Sequence, residues 1–448
     1  MIELKHIRLF FQWVGILSLM ACASGNNANH NNLAHLYQQE GVVLKPMFSI
    51  FQNSETEATI TFQASSDQLL YKVDESDQFQ ARFSAHYEGY DNYEFETLLD
   101  SATILFTDTK KSQENKIFIR DFKLATGHIH QVNPVVKIVL TDLNRKLSYH
   151  NFLTLELGDG QNRQDFLLKS RTGRIRFMNH VMVNEKFILE NNANAKNYIV
   201  RQYNRNFPIA TPPYVESKDM QFKYDADKKF VVNSADTFSF AEPGFYHFQL
   251  NEQNKEGFTV YVFHDEYPFI THRNQMVEPL RYLTSQGEYD VLTSQNTPDS
   301  LKFQVDKFWL KSAGSVTKGK DLVRSYYNRI QDANIFFTSY LEGWKTDRGI
   351  VYAVLGPPSK VTRNLNTETW VYGNEVSSLE MIFTFVKVYN PFSENDFALA
   401  KLNKFRYPWG QAIDAWRHGT AYGLKEIIRE QDERDQQIRM ANPPYSWN

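Results

Sequence analysis

Few of the 448 residues stand in patterns that chemistry needs. Gly314-Ser-Val-Thr-Lys-Gly-Lys-Asp321 nearly matches a phosphate-cradling loop, but Asp321 occupies the position where Mg²⁺ coordination needs Ser or Thr. The preceding run, Phe308–Ala313, does not read as a buried strand, so the expectation is a loop ahead of a helix. His128 and His130 put two imidazoles on one face of an expected strand, which is half of a metal site. No third ligand is evident nearby, Asp121 being the one residue left open, and a polar strand face or turn is the simpler reading. His264-Asp265-Glu266 reads as a solvated strand exit. With 12 His and 52 acidic residues, chance pairs occur everywhere, and no Ser-His-Asp set or paired-carboxylate site is assigned. Asp347 beside Arg348 has the form of a carboxylate with a cationic partner. The same residues suit a helix start better. Thr346 is placed to cap it, Asp347 to favour its first turn through the helix dipole, and Trp344 to pack beneath. Gly343 and Gly349 would permit close backbone approach. Binding through Trp344 or Arg348, and catalysis, are the alternatives. No metal and no cofactor is expected.

The residue whose chemistry is most legible is Cys22, the one cysteine in the chain. Lys5 and Arg8 supply a basic start, and an apolar run from Leu9 to Ala21 follows. That run is shorter than the roughly 20 residues a spanning helix needs. Basic flank, short apolar core and small-residue end read as a secretory signal over residues 1–21. Leu19-Met20-Ala21-Cys22 resembles the bacterial lipobox, which implies cleavage before Cys22 and lipid modification of that cysteine. Several acyl chains hold a membrane far better than one. The alternative is an ordinary signal peptide with a chance cysteine. Without a second cysteine there is no disulfide framework and no thiolate metal site. The Asn-rich stretch behind Cys22 reads as a polar tether over residues 22–41 with no reason to pack. It has no acidic residue before Glu40, which leans the expectation towards the periplasmic face of the outer membrane.

The elements that must carry these residues are mostly strands at first. Net charge is −3 and aromatic residues make up 15%, with 34 Phe and 24 Tyr. The charge gives no case for a nucleic-acid partner. Alternating segments at Glu57–Ala64, Gln80–Tyr87, Lys116–Leu124, Val135–Leu140 and Asn151–Leu157 indicate a β-sandwich over residues 42–158. Segments at Ile175–Met178, Glu185–Glu190, Tyr198–Tyr203, Lys229–Val232, Phe238–Leu250 and Phe258–Phe263 indicate a second over 159–268. Both are expected to be immunoglobulin-like.

The pattern changes near His264. Short helical segments are expected at Val277–Thr284 and Glu288–Leu292. A long helix is expected over Asp321–Leu341, with apolar residues at helical spacing. Arg348–Leu355 is a short helix stopped by Gly356 and Pro357. Strands at Glu368–Tyr372 and Leu379–Val386 complete an α+β unit over 269–408. A helical tail with a charged helix at Lys425–Arg434 follows over 409–448. The expected fold class is therefore multidomain, two all-β sandwiches followed by an α+β domain.

Glu342-Gly-Trp-Lys-Thr-Asp-Arg-Gly349 resembles the signature of the GWxTD-domain proteins. The likeness extends through Ile350–Lys360 to Glu368–Tyr372, and upstream to Leu280–Thr284, Phe308-Trp309 and Tyr326–Asn334. It covers about Glu278 to Lys387. It implies an envelope lipoprotein of the kind common in Bacteroidota, and marks Gly343, Trp344, Thr346, Asp347, Arg348, Gly349, Gly356, Pro357 and Trp370 as structural or binding residues. A looser pattern over Thr346–Val386 is similar to small lipoproteins that accompany outer-membrane β-barrel assembly.

Trp370, Tyr372, Trp409, Trp416, Tyr422 and Trp447 make the last third aromatic-rich. Core packing is the plain reading, a docking surface the functional one, and sugar stacking a third. The combined expectation is a non-enzymatic, membrane-anchored scaffold with a protein partner in the outer membrane or periplasm. The alternative is a glycan-binding or glycan-processing lipoprotein, which requires Trp344, Trp370 and Trp409 to present exposed faces.

Overall fold

The computed structural model describes residues 32–38, 43–73, 77–110, 115–127, 129, 134–158, 161–216, 224–373 and 381–441. The expected signal peptide, Cys22, His128, His130 and Trp447 lie outside them. Among the described residues no helix is long and apolar enough to cross a membrane.

The first region contains β1 (Met47–Ser54), β2 (Glu57–Ser65), β3 (Lys72–Val73), β4 (Phe79–Tyr90), β5 (Leu98–Lys110), β6 (Ile117–Ala125), β7 (Val135–Asp142) and β8 (Leu147–Thr154). One sheet has the order β1-β2-β6, the other β3-β4-β7-β8 with β5 added along β4. The period-2 alternation of β2 puts Ala58, Ile60, Phe62 and Ala64 on its buried face. Phe62 meets Phe83 of the other sheet edge-on, and both belong to one core. The result is a sandwich-like pair of sheets with no closed barrel.

The second region contains β9 (Phe166–Ser170), β10 (His180–Met182), β11 (Phe187–Asn191), β12 (Asn197–Tyr203), β13 (Lys228–Asn233), β14 (Gly244–Gln249) and β15 (Phe258–Phe263). The main sheet runs β10-β15-β14-β12-β13, and β9 pairs with β11. The strand expected at Ile175–Met178 does not form; Ile175 makes only an isolated bridge to Lys169. Every residue of β15 is buried. Phe258, Val260 and Val262 face the core of this region, while Tyr261 and Phe263 face Tyr267 and Phe392 of the C-terminal unit. A strand covered on both faces reads as an unbroken apolar run, as Phe258–Phe263 does.

The C-terminal unit contains α1 (Arg273–Val277), α2 (Gln286–Thr293), α3 (Pro298–Ala313), α4 (Val316–Phe337) and α5 (Asp347–Leu355). An antiparallel sheet follows, β16 (Lys360–Arg363), β17 (Thr367–Tyr372), β18 (Met381–Lys387) and β19 (Phe397–Leu399) in that order. Then come α6 (Arg406–Arg417) and α7 (Leu424–Ala441). The long helix starts and ends earlier than the apolar spacing suggested, because Ser315 accepts from the Lys318 amide and caps it there. The phosphate-loop-like stretch Gly314–Asp321 is therefore mostly helix, a correction to the expected loop. Gly314 closes α3 in the left-handed conformation (φ 70°), and the Gly319 amide is already spent on Ser315 carbonyl oxygen at 2.9 Å. Helix α6 carries Trp409, Ala412 and Trp416 into the same core as α3, α4 and α5.

The tether expected over 22–41 needs a second correction. Ala34–Tyr37 forms a turn of 3-10 helix, and Leu33, Ala34 and Tyr37 are buried in the C-terminal core. Leu33 N donates to Val361 O at 2.8 Å, extending the edge at β16. The Asn32 side chain brackets the same edge, donating to Ser359 O at 3.0 Å and accepting from Val361 N at 3.0 Å. Leu33, Ala34 and Tyr37 supply apolar surface within five residues, which the Asn-rich composition around them hides.

Candidate functional site

The signature segment sits where α4 ends and α5 begins. Gly343 lies so close to α4 that an added Cβ would stand 1.9 Å from Ala333 O, and one on Gly349 would stand 1.9 Å from Gly343 O. Only glycine lets the three backbones meet at that distance. Trp344 is 2% exposed; its indole N–H donates to Glu342 at 2.8 Å and its backbone N–H to the Asn334 side chain at 3.2 Å. Thr346 caps α5: its hydroxyl accepts from Gly349 N at 3.1 Å and donates to Gly343 O at 2.7 Å. Asp347 points across to β19, where Oδ2 accepts from Leu399 N at 2.9 Å and Oδ1 lies 3.1 Å from Lys401 Nζ. Gly356 ends α5, and its carbonyl accepts from Tyr372 at 2.7 Å. Pro357 follows the cap, half-buried.

Arg348 leads from this segment into a buried ion cluster. Alternation along β17 turns Glu368, Trp370 and Tyr372 inward together. Glu368 is wholly buried and collects donors from four side chains. Arg363 donates through Nε (2.8 Å) and Nη2 (2.6 Å), Trp370 through its indole N–H (2.7 Å). Tyr37 donates through its hydroxyl (2.8 and 2.9 Å), and Arg348 Nη1 stands 3.5 Å off. Arg348 also donates to Asn395 and lies over the Phe397 ring, 4.2 Å from its centroid. Burial pushes the Glu368 carboxyl upward, but Arg363, Arg348, Trp370 and Tyr37 together outweigh it and hold the group at about 2. Burial, with Glu368 beside it, pushes the Tyr37 phenol up to about 12, so it stays a donor. Arg363 is raised well above its ordinary value, because Tyr37 and Glu368 overcome the desolvation that acts against its charge. The N-terminal turn is fastened here a second time, by Tyr352, whose hydroxyl donates to Tyr37 O at 2.8 Å.

Residues 244–418 match the family model described as the GWxTD domain. This chain carries a GWxTD domain. The match begins at β14, the strand whose outer face the C-terminal unit covers, and ends just after α6. Among curated proteins none matches the sequence. Among solved structures, Bacteroides uniformis beta-glucuronidase 2 covalently bound to cyclophellitol-6-carboxylate aziridine shares 16% identity over 26% of this chain and 14% of its own, with a TM-score of 0.17. The matched part is thus a small share of that protein, and a likeness so slight carries no argument.

The GWxTD domain draws together most of the residues singled out by sequence. Gly343, Trp344, Thr346, Asp347, Arg348 and Gly349 form one continuous joint, and Trp370 meets Arg348 through Glu368. Trp344, Trp370 and Trp409 are 2%, 0% and 4% exposed, so none presents a ring face for sugar stacking. Asp121 is exposed on β6, and no group of three metal-ligating side chains occurs among the described residues. Sequence reasoning missed Tyr37, Arg363, Glu368 and Asn395. Glu368 was within reach, since it alternates in phase with Trp370 and Tyr372. Tyr37 and Asn395 come from segments that only the fold brings near.

Proposed function

We propose that this protein is a non-enzymatic scaffold, lipid-anchored through Cys22 at the periplasmic side of the outer membrane, whose GWxTD domain docks a protein partner of an outer-membrane assembly or secretion machine. The observation that carries this reading is the insertion of Leu33–Tyr37 into the GWxTD core. The domain is C-terminal in sequence, yet it is clasped by the residues that follow the proposed anchor. Ten residue steps lead from Cys22 to Asn32, and at full extension they reach no further than about 35 Å. An acyl group on Cys22 would therefore keep this domain, with the first β region that His35 and Leu36 also touch, close to the membrane surface. Confinement of that kind raises the effective concentration of membrane-bound partners. The two β regions, read as immunoglobulin-like modules, would set the spacing. The engagement of Asp347 and Arg348 in internal ion pairs supports a structural role for the signature over catalysis. Burial of Trp344, Trp370 and Trp409 removes the argument for a glycan-binding surface built on them.

Two measurements test this. Cys22→Ala is expected to abolish acyl labelling and to release the protein from membranes; persistent labelling would overturn the anchor. Purification from native cells in mild detergent, with mass spectrometry, is expected to recover subunits of an outer-membrane machine. A clean monomer would overturn the scaffold reading.

A further inference from the structure

A cleft of about 400 Å³ opens where the first β region, the second β region and the GWxTD domain meet. Its lining includes five cationic side chains, Arg163, Arg176, Arg348, Arg363 and Lys387, and a single carboxylate, Glu394. Four of the cations have internal counter-charges. Arg163 pairs with Glu156 at 3.1 Å, Arg176 with Glu185, and Arg348 and Arg363 share Glu368. Lys387 has none. Among the described residues its ammonium makes no hydrogen bond or ion pair, and it lies 5.5 Å from the Tyr389 ring centroid. Burial holds that ammonium below the usual lysine value. The Glu394 and Glu156 carboxylates oppose that shift, and Arg163 and Arg363 add to it, so Lys387 senses both guanidinium groups as well as the carboxylates.

Unspent donors accompany this charge. Arg163 bonds through Nε and Nη2, and Arg363 likewise, leaving Nη1 of each without a partner among the described residues. The side-chain amides of Asn151 and Asn364 accept from neighbouring backbone N–H groups, and their nitrogens donate to nothing described. Cationic and amide donors are thus left available around a space bordered by three packed units. Such donors favour an oxyanion, since hydrogen bonds between charged partners are the strong ones.

We propose that this cleft binds a small hydroxylated molecule bearing a phosphate or carboxylate group. The anionic group would sit against Lys387 and the free arms of Arg163 and Arg363, and the hydroxyls against Asn151 and Asn364. The ligand would touch all three units and so hold them together. Neither the lipid anchor nor the docking role is needed for this, so either can fail without it.

Calorimetric titration of the full chain in detergent, at fixed ionic strength, tests the assignment with three probes that differ in one group: glucose 6-phosphate, gluconate and glucose. Binding of the phosphate ester or of gluconate, with glucose at least tenfold weaker, is expected, and the tighter arm names the anionic group. Lys387→Gln should weaken that binding tenfold or more, and Lys387→Arg should restore most of it. Tryptophan fluorescence verifies that both variants remain folded. Failure of both anions to bind, equal binding of glucose, or a folded Lys387→Gln variant that binds as wild type would each overturn the proposal.

Discussion

Glu368→Gln removes one charge and keeps the shape, so it isolates what the buried carboxylate does. Gln retains one acceptor oxygen and turns an amide towards the donors of Arg363, Trp370 and Tyr37. Two guanidinium groups then share no counter-charge, and breaking a buried pair in this way costs about 3–5 kcal/mol. The acidity gives a second figure. The carboxyl is held at about 2 against an ordinary 4.5, and roughly 1.4 kcal/mol per unit makes that about 3 kcal/mol. The folded value lies below the unfolded one, so this stabilisation is complete above about pH 4.5 and is lost as pH falls towards about 2. Tyr37→Phe deletes the hydroxyl that bonds both carboxylate oxygens, worth about 1.5–3 kcal/mol for bonds to a charged group. Guanidinium unfolding of the full chain in detergent, followed by tryptophan fluorescence, measures both. Trp309, Trp344, Trp370, Trp409 and Trp416 all lie in the C-terminal core, so the signal reports that unit. The two substitutions together should cost less than their sum, with a coupling above about 1 kcal/mol. The gap between wild type and Glu368→Gln should narrow steadily below about pH 4.5 and close only towards about pH 2. A coupling under about 0.5 kcal/mol, or a Glu368→Gln protein as stable as wild type near neutral pH, would refute the claim that the N-terminal turn is locked to the domain through this carboxylate.

Other consequences follow from the same geometry. Gly343→Ala and Gly349→Ala each drive a methyl into a carbonyl oxygen at 1.9 Å; each should cost more than about 3 kcal/mol or abolish folded yield, read by unfolding and by recovery of soluble protein in detergent. Thr346→Ala should cost about 1 kcal/mol through loss of the α5 cap and Thr346→Ser almost nothing, and equal losses would show that the hydroxyl does not act as the cap. Burial pushes the Asp396 carboxyl up to about 7, opposed by Arg348 and reinforced by Asp347. Its cost is absent below the unfolded value and grows as pH rises to about 7. Asp396→Asn should therefore match wild type near pH 4 and exceed its thermal stability near pH 8; a constant offset across that range would contradict the assignment.

Much of this fold is legible in the sequence. Period-2 alternation is a property of the strand itself, so Ile60, Phe62, Trp370 and Tyr372 announced their inward faces. The α5 cap was legible for the same reason, because Thr346, Gly349 and Gly356 act within one turn of their own positions. Helix α3 is harder to see in the sequence, although Leu301, Val305, Trp309 and Ala313 recur every fourth residue and Thr297-Pro298 and Gly314 mark its ends. Its exposed Phe303 and Leu310 blur the apolar stripe.

The sequence by itself determined which residues of the signature had to be small, capping or buried, since those demands arise from local backbone geometry. It also singled out Cys22 as the residue on which the proposed anchor rests. Only the tertiary structure decided that the segment behind that cysteine is a clasp, that Glu368 is the counter-charge of Arg348 and Arg363, and that five cations face one cleft. Tyr37 and Glu368 are 331 residues apart, and no local pattern encodes a pairing at that separation. Burial is what makes it strong: the charged hydrogen bond gains as water is excluded, and together with the apolar burial of Leu33, Ala34 and Tyr37 it offsets the entropy of holding the segment in place.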